Sequence, residues 1–238
     1  LIMADDFYTA EVTGIIDESP SVRRYILSVK DVPVFDFLPG QFVMLDLPIA
    51  HEYTTRSYSI ASAPNGNEFE LCIVLKEDGA GTPFLFKDIK EGSLLRVSPA
   101  QGRFVLEEPI ATDICFIATG TGVAPFRAMA QHIINKNIPH RNMYLVFGNR
   151  TRQDILYRAE FEQLAAEHPE FKFIPVLSRE ESWPGYNGYV HPVYEELFAD
   201  RRPAVFYICG WSNMVREAKN RLKEMGYTRK QINFELYD

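Results

Sequence analysis

The chain has 238 residues, 46% of them hydrophobic and 24% charged, which is enough apolar material for one large globular domain or two of ordinary size. Its formal net charge of −7 disfavours nucleic acid as a partner, because binding phosphates requires a basic surface. No apolar run approaches the roughly 20 residues of a membrane span, and the first residues show no secretory signal, so we expect a cytoplasmic protein.

The first hundred residues predict β structure in short runs divided by Pro, Gly, Asn or Asp, as in a barrel or sandwich. The predicted strands lie at 8–18, 22–30, 41–48, 56–62, 68–76 and 93–100. One helix interrupts them in "GAGTPFLFKDIKEG", where Thr82 is the expected N-cap, Pro83 the first helical residue and Gly92 the end.

From about residue 110, strands alternate with helices, and this rhythm predicts a parallel sheet with helices on both faces. The predicted strands are 113–120, 143–149, 171–178 and 204–210, and the predicted helices are 123–136, 157–169, 190–200 and 212–226. The pattern changes near "FVLEEPIATD", so we place one domain at 1–108 and a second at 109–238.

A glycine-rich turn, "ATGTGVAPF", follows the first strand of the second half and opens its first helix. Gly120 and Gly122 let the backbone approach a ligand, Thr121 adds a hydroxyl, and the helix N-terminus favours an anion such as a dinucleotide diphosphate. Pro125 stands where the usual G-x-G-x-x-G motif has its third glycine. The alternative is a strand-to-helix turn that binds nothing.

The first half contains a similar turn, "GAGTPFL", with Gly79 and Gly81 ahead of Thr82. A second anion could bind at this helix start, although a simple capped helix explains the same residues. In "RSYSIAS", Arg56 is a fork donor suited to a diphosphate, Tyr58 offers a ring to a flat heterocycle, and Ser59 offers a hydroxyl. The alternative is a solvated strand face with a cation–π contact.

Taken in order, the motifs resemble those of the ferredoxin–NADP reductase superfamily, in its bacterial and oxygenase-reductase branch. They run along nearly the whole chain: "RSYSIAS", "GAGTPFL", "PAQGRF", "GTGVAPF", "FGNRTRQDILY", "LSRE" and "YICG". The resemblance implies an antiparallel Greek-key β-barrel that binds FAD, followed by an α/β domain with a parallel sheet that binds NAD(P)H. It also implies that the chemistry takes place in a cleft between the two domains.

The resemblance also implies roles for single residues on the flavin side. Arg56 would pair with the FAD diphosphate, Tyr58 would pack along the isoalloxazine or ribityl chain, and Ser59 would hydrogen-bond near flavin N5. A further set would line the flavin or hold its phosphates: Ile73, Val74, Gly79, Gly81 and Thr82.

On the nicotinamide side, the resemblance implies that Gly120, Thr121, Gly122 and Pro125 form the dinucleotide turn. Cys209 and Gly210 would end the last sheet strand next to nicotinamide C4, with the sulfur shaping the pocket rather than reacting. In the C-terminal "NFELYD", Glu235 could relay protons and Tyr237 could cover the flavin face, although the extra Asp238 departs from the family ending.

The choice between NADPH and NADH depends on cations near the ribose 2′-phosphate. Ser178 and Arg179 match the family's position for this phosphate, and Arg150 follows the preceding strand on the same edge. The alternatives are that Arg179 pairs with Glu180 or Glu181, or contacts the adenine. We expect NADPH to be preferred.

The expected activity is hydride transfer from NAD(P)H to flavin N5, with electrons then passed to a separate ferredoxin, flavodoxin or oxygenase component. Alternatives are a free-flavin or quinone reductase, or a non-catalytic flavin- or nucleotide-binding subunit. Neither the histidines nor the three cysteines have metal-site spacing, so we expect no metal. The pairs Arg23–Arg24 and Arg201–Arg202 are candidates for docking an acidic carrier. The sequence does not indicate an oligomeric state.

Overall fold

The computed structural model describes residues 3–237, which divide into two compact units. The first unit contains the described residues up to Leu106 together with Ala124–Lys136. The second contains Glu107–Val123 and the described residues from Asn137 onward. The helix after the glycine-rich turn therefore belongs with the β unit, which a division at residue 108 does not anticipate.

Six antiparallel strands form the sheet of the first unit, in the order β4-β3-β6-β1-β2-β5. They are β1 Tyr8–Ser19, β2 Val22–Val29, β3 Phe42–Asp46, β4 Thr55–Ser59, β5 Glu68–Val74 and β6 Leu94–Val97. The chain after β4 bridges back to β5 through Ile60 and Leu71, which joins the two edge strands. This closure makes the sheet a barrel and confirms the predicted antiparallel barrel class.

The barrel interior is filled by alternating apolar side chains from these strands, since a strand buries every second residue. Phe69 of β5 stacks on Phe35, which lies in the segment between β2 and β3, with the ring centroids 4.9 Å apart. Helix α1, Gly81–Asp88, is fixed to the barrel at its C-terminal end. There the Tyr25 hydroxyl donates to the Leu85 carbonyl at 3.1 Å, which satisfies a helix-end carbonyl.

The second unit contains an all-parallel six-stranded sheet in the order β10-β9-β8-β7-β11-β12. The strands are β7 Asp113–Thr119, β8 Met143–Asn149, β9 Phe171–Leu177, β10 Tyr186–Asn187, β11 Ala204–Trp211 and β12 Ile232–Tyr237. From β7, the chain builds the sheet first toward β10 and then toward β12. The carboxyl ends of β7 and β11 therefore flank a topological switch point, where open α/β sheets bind ligands.

Four helices accompany the second half of the sequence: α2 Ala124–Asn135, α3 Arg158–Glu167, α4 Val190–Leu197 and α5 Ser212–Glu224. Helices α4 and α5 pack on one face of the sheet in a core that includes Val176 of β9. Phe161 of α3 contacts Phe171 and Phe173, with centroid separations of 6.1 and 5.3 Å. Because residues of a strand alternate between faces, α3 covers the other face, as the pattern predicts.

Two strands were missing from the sequence interpretation. Strand β10 has only two residues, and β12 lies in the C-terminal segment that was treated as a tail. Strand β12 pairs in parallel with β11 from Phe206–Ile232 to Trp211–Tyr237 and extends the sheet by one strand.

None of the helices within residues 3–237 is long and apolar enough to cross a membrane. Within the same range, no group of three or more His, Cys, Asp or Glu side chains could hold a metal ion.

Candidate functional site

The first candidate site lies where β4 meets the start of α1. A Cβ placed on Gly81 would lie 3.1 Å from Cγ and 3.4 Å from Nε of Arg56, so the arginine side chain passes directly over the glycine. The guanidinium Nη1 donates to the carbonyl oxygens of Tyr53 and Thr55. The structure thus brings a fork-shaped cation next to the free N–H groups of a helix N-terminus, a combination that fits a diphosphate.

The hydroxyl of Thr82 has a different role from the expected cap. Helix α1 begins at Gly81 with Ala80 as its N-cap, so Thr82 is already inside the first turn. Its Oγ1 accepts from the Lys76 backbone N–H at 2.8 Å and lies 3.2 Å from the Lys76 carbonyl. Gly79 belongs to the same turn, where its N–H donates to that carbonyl. The N-cap prediction for Thr82 was therefore wrong, and its hydroxyl fastens the loop before α1.

Arg56 and Tyr58 share one face of β4, and Ser59 lies on the other. The β3–β4 register pairs Leu45 with Arg56 and Val43 with Tyr58, and residues directly opposite in a sheet point the same way. Tyr58 is half-buried against the barrel core, and burial raises the pKa of its hydroxyl to about 12 against the opposing effect of the Arg56 charge. The phenol therefore stays neutral at physiological pH.

Ser59, Ile73 and Val74 occupy positions of different accessibility. Ser59 is buried although its side chain is polar. Ile73 is part of the barrel core, whereas Val74, the last residue of β5, is half-buried. Of the two apolar candidates, Val74 is therefore the one with surface left for a ligand.

The second candidate site is the turn after β7, a 3₁₀ segment Gly120–Val123. A Cβ on Gly122 would lie 2.4 Å from the carbonyl oxygen of Cys209, and a Cβ on Gly210 would lie 2.2 Å from Thr119 Oγ1. Gly120 has φ +53° with open space around its Cβ position. The turn is therefore interlocked with β11 by backbone contact at Gly122 and remains open at Gly120, which is a fitting cradle for a second diphosphate.

We expect Gly122→Ala to weaken nucleotide binding by roughly tenfold or more, because the added methyl group would push the turn away from the β11 backbone. Calorimetric titration with NADPH and NADH would measure the loss. Gly226→Ala is the matched control: its φ is +101° and its Cβ position is open, so it adds backbone strain without a clash. Unchanged affinity in Gly122→Ala would contradict the role of this turn.

At the carboxyl end of β11, the structure brings Cys209, Glu235 and Tyr237 to one face of the sheet. Cys209 is paired in register with Glu235, and Trp211 with Tyr237. Burial and the Glu235 carboxylate raise the pKa of the Cys209 thiol well above its usual value, and a hydrogen bond with Tyr237 opposes this only in part. The thiol stays protonated, which is the state expected of a group that shapes a pocket and does not act as a nucleophile.

The loops after β8 and β9 lie side by side. Backbone N–H groups of Ser178 and Arg179 donate to the carbonyls of Asn149 and Arg150 at 3.0 and 2.9 Å. Arg150 and Arg179 are both exposed, and within residues 3–237 neither guanidinium has an ion-pair partner. The sequence placed both arginines and Ser178 near a 2′-phosphate, and the backbone bonds bring these three residues together.

One residue that the sequence interpretation missed is Arg127 of α2, in "VAPFRAMAQHII". It is buried, and its Nη1 lies 2.9 Å from Oε2 of Glu70 and donates to the Ala61 carbonyl at 3.0 Å. Arg24 binds the same carboxylate through two nitrogens. An arginine in the otherwise apolar run "APFRAMA" that begins the helix was the available signal. Pro125, two residues earlier, is buried in the first turn of α2.

Three of the four arginines proposed for carrier docking are engaged within their own units. Arg23 pairs with Asp17 at 2.8 Å, Arg24 with Glu70 at 2.9 Å, and Arg202 with Asp113 at 2.9 Å. Their charges are largely balanced locally, so these pairs offer little net positive charge to a partner.

Comparison with known protein families agrees with both halves of this description. Residues 9–106 match the family model of an oxidoreductase FAD-binding domain, and residues 116–220 match that of an oxidoreductase NAD-binding domain. The ferredoxin–NADP reductase B of Sorangium cellulosum is 35% identical, over 100% of both chains. The reductase component of phenol 2-monooxygenase from a Pseudomonas species is 32% identical over 97% of this chain, which spans 65% of that relative.

Solved structures show the same fold. The cytochrome P450 reductase of Amycolatopsis has a TM-score of 0.88 and 27% identity. The match covers 97% of this chain and 69% of the Amycolatopsis chain. A ferredoxin–NADP reductase from Neisseria gonorrhoeae, solved with FAD and NADP bound, has a TM-score of 0.82 and 23% identity, covering 97% of this chain and 98% of its own.

Proposed function

This chain belongs to the ferredoxin–NADP reductase superfamily of FAD- and NAD-binding oxidoreductases, and from that premise we propose that it is an NADPH-preferring reductase of a separate protein carrier. It is a flavoprotein enzyme that takes electrons from NAD(P)H. When bound, FAD accepts hydride at N5 and can release electrons singly. The protein's own contribution is to bind, orient and shield the reacting groups.

One observation supports this proposal above all others: each unit contains its own glycine-lined anion cradle. In the first unit, Arg56 and the start of α1 at Gly81 would hold the FAD diphosphate. In the second, the turn around Gly120 and Gly122 would hold the nicotinamide dinucleotide. Hydride transfer from a nicotinamide to a flavin requires the protein to bind two nucleotides.

The remaining residues would orient the rings and manage protons. Neutral Tyr58 would pack along the flavin, Ser59 would donate a hydrogen bond near N5, and Val74 would line the site. The protonated Cys209 thiol and the Gly210 backbone would shape the approach of the nicotinamide ring.

At the C-terminal end, the proposal gives Glu235 and Tyr237 supporting roles. Glu235, half-buried beside Cys209, would exchange protons with solvent. Tyr237 would cover the ring site until the nicotinamide displaces it. A cytoplasmic location is part of the proposal and is supported by three free cysteines among the described residues.

Ferredoxin, flavodoxin or an oxygenase component is the proposed acceptor; the names of two relatives mention a ferredoxin and a monooxygenase, and flavodoxin is included from the family resemblance. The test is anaerobic reduction by NADPH followed by stopped-flow reoxidation with each carrier and with a quinone. Faster reoxidation by one protein carrier supports the proposal. Reoxidation by quinone or free flavin alone would indicate the alternative class of reductase, and a protein that binds no FAD would indicate a non-catalytic subunit.

Arg179→Ala is expected to weaken NADPH binding by roughly tenfold or more while changing NADH binding less than about threefold, because only NADPH carries the 2′-phosphate. Anaerobic titration with each nucleotide, followed by flavin bleaching, gives both affinities. Arg201→Ala removes an exposed charge from the same unit and serves as the control. An equal loss of affinity for NADPH and NADH would show that Arg179 does not bind the 2′-phosphate.

A further inference from the structure

The carboxylate next to the proposed 2′-phosphate site is held by a neighbouring arginine. Glu180 directly follows Arg179, and its Oε2 accepts a hydrogen bond from the Arg152 backbone N–H at 2.5 Å. Its Oε1 pairs with the guanidinium Nε of the same arginine. These hydrogen bonds lower the pKa of Glu180, so the carboxylate is ionised and both its oxygens are bound by Arg152.

Arg152 is itself held in place by an aromatic ring. Its guanidinium carbon lies 5.6 Å from the centroid of the Trp183 ring, and that of Arg158 lies 5.2 Å from the same ring. Arg152 Nη2 also lies 3.5 Å from Ser182 Oγ. The loop after β9 therefore folds back on the 3₁₀ turn Arg152–Asp154 and carries Glu180 with it.

Arg179, which directly precedes Glu180, and Arg150 in the adjoining loop are left exposed by this arrangement. Arg179 and Arg150 are joined by the backbone hydrogen bond of 2.9 Å, and neither takes part in an ion pair in the described part of the chain. A carboxylate free to turn toward Arg179 would neutralise it and would repel a phosphate dianion placed there. Specificity for a phosphorylated ribose thus requires two things: the Arg179 guanidinium must be present, and the Glu180 carboxylate must be kept away from it.

We propose that Arg152 is a positioning residue that withholds the Glu180 carboxylate from Arg179 and thereby sets the preference for a 2′-phosphorylated nucleotide. The inference rests on the proposed NADPH preference and extends it to a residue that need not touch the ligand. It makes selectivity depend on an ion pair beside the phosphate site, in addition to the arginine that binds the phosphate.

A double-mutant cycle on the FAD-loaded protein tests this, with 2′,5′-ADP and 5′-AMP as calorimetric probes that need no turnover. Arg152→Gln should lower the preference for 2′,5′-ADP by roughly fivefold, the order of an exposed ion pair. In the original chain, Glu180→Gln should change the preference for 2′,5′-ADP over 5′-AMP by less than about twofold. In the Arg152→Gln background, the same substitution should restore that preference. This non-additivity is expected if Arg152 holds the Glu180 carboxylate away from Arg179. If Glu180 acted only through its negative charge, Glu180→Gln would change the preference equally in both backgrounds.

Arg158→Gln is the matched control: it removes the same charge from the same Trp183 ring, but Arg158 acts on Glu180 only through its charge and makes its ion pair with Glu162. It should leave the preference within about twofold. An equal gain from Glu180→Gln in both backgrounds, or an equal loss in Arg158→Gln, would overturn the role of Arg152 and leave the NADPH assignment standing. Equal affinity of the original chain for both probes would overturn the NADPH assignment, and the role of Arg152 with it.

Discussion

Arg56→Ala is expected to release FAD from the protein and to reduce FAD affinity by roughly 30-fold or more. The estimate follows from losing charge-assisted hydrogen bonds to a diphosphate, each worth about 1.5–3 kcal/mol. The Arg56 side chain lies against Gly81 at the start of α1, and alanine at this position would remove the cation that stands beside the helix N–H groups. The ratio of flavin to protein absorbance after dialysis measures the loss.

Two further variants sharpen this prediction. Arg56→Lys keeps the charge but lacks the fork and should fall between the original chain and the alanine variant. Arg96→Ala removes an exposed arginine from β6 of the same barrel, whose contacts include Asp46 at 3.5 Å and the Phe7 ring, and should retain FAD. Full retention of flavin by Arg56→Ala, with an unchanged dissociation constant, would show that the diphosphate binds elsewhere.

Glu70→Ala is expected to destabilise the protein by about 3–5 kcal/mol, because the carboxylate lies between two arginines of which Arg127 is almost fully buried. Its loss would leave the buried guanidinium without its carboxylate. Denaturant unfolding followed by circular dichroism and by flavin fluorescence would give the free energy of unfolding.

Removing both charges together should cost less than removing one. We expect the double variant Glu70→Met, Arg127→Leu to recover a large part of the stability, since apolar side chains can replace a buried ion pair. Glu11→Ala is the surface control: its pair with Lys30 is exposed and should be worth less than about 1 kcal/mol. A loss no greater in Glu70→Ala than in Glu11→Ala would mean that the network does not stabilise the barrel.

Strand and helix patterns predicted a β half followed by an α/β half with a parallel sheet, whereas the choice of an antiparallel barrel over a sandwich came from the family resemblance. Strand β12 escaped because "NFELYD" was interpreted by its resemblance to the family's C-terminal ending and not by its strand propensity. Thr82 was misassigned because its partner Lys76 lies in the preceding loop, and a side chain can bond either to the helix or to the loop. Neither choice is visible in local propensity.

The residues proposed for the sites were found by local motifs, and those that were missed depend on distant contacts. Arg127 and Glu70 are 57 positions apart, and Arg152 and Glu180 are 28 apart. Such pairs form only when the topology brings two elements together, so composition and spacing alone could not indicate them. The resemblance to a known family indicated which glycines and arginines could bind the nucleotides. It did not indicate that Arg152 binds the Glu180 carboxylate beside the proposed phosphate site.

The membership of α2 in the barrel unit limits how the two halves of this gene can be recombined. A crossover near residue 108 would join one parent's six barrel strands to the other parent's α2, so Glu70 and Arg127 would come from different ancestors. Chimeras would keep this buried contact only where both parents have matching charges at the two positions. The compact unit that contains the barrel is therefore discontinuous in the sequence, although the FAD-binding family model matches a continuous stretch, residues 9–106.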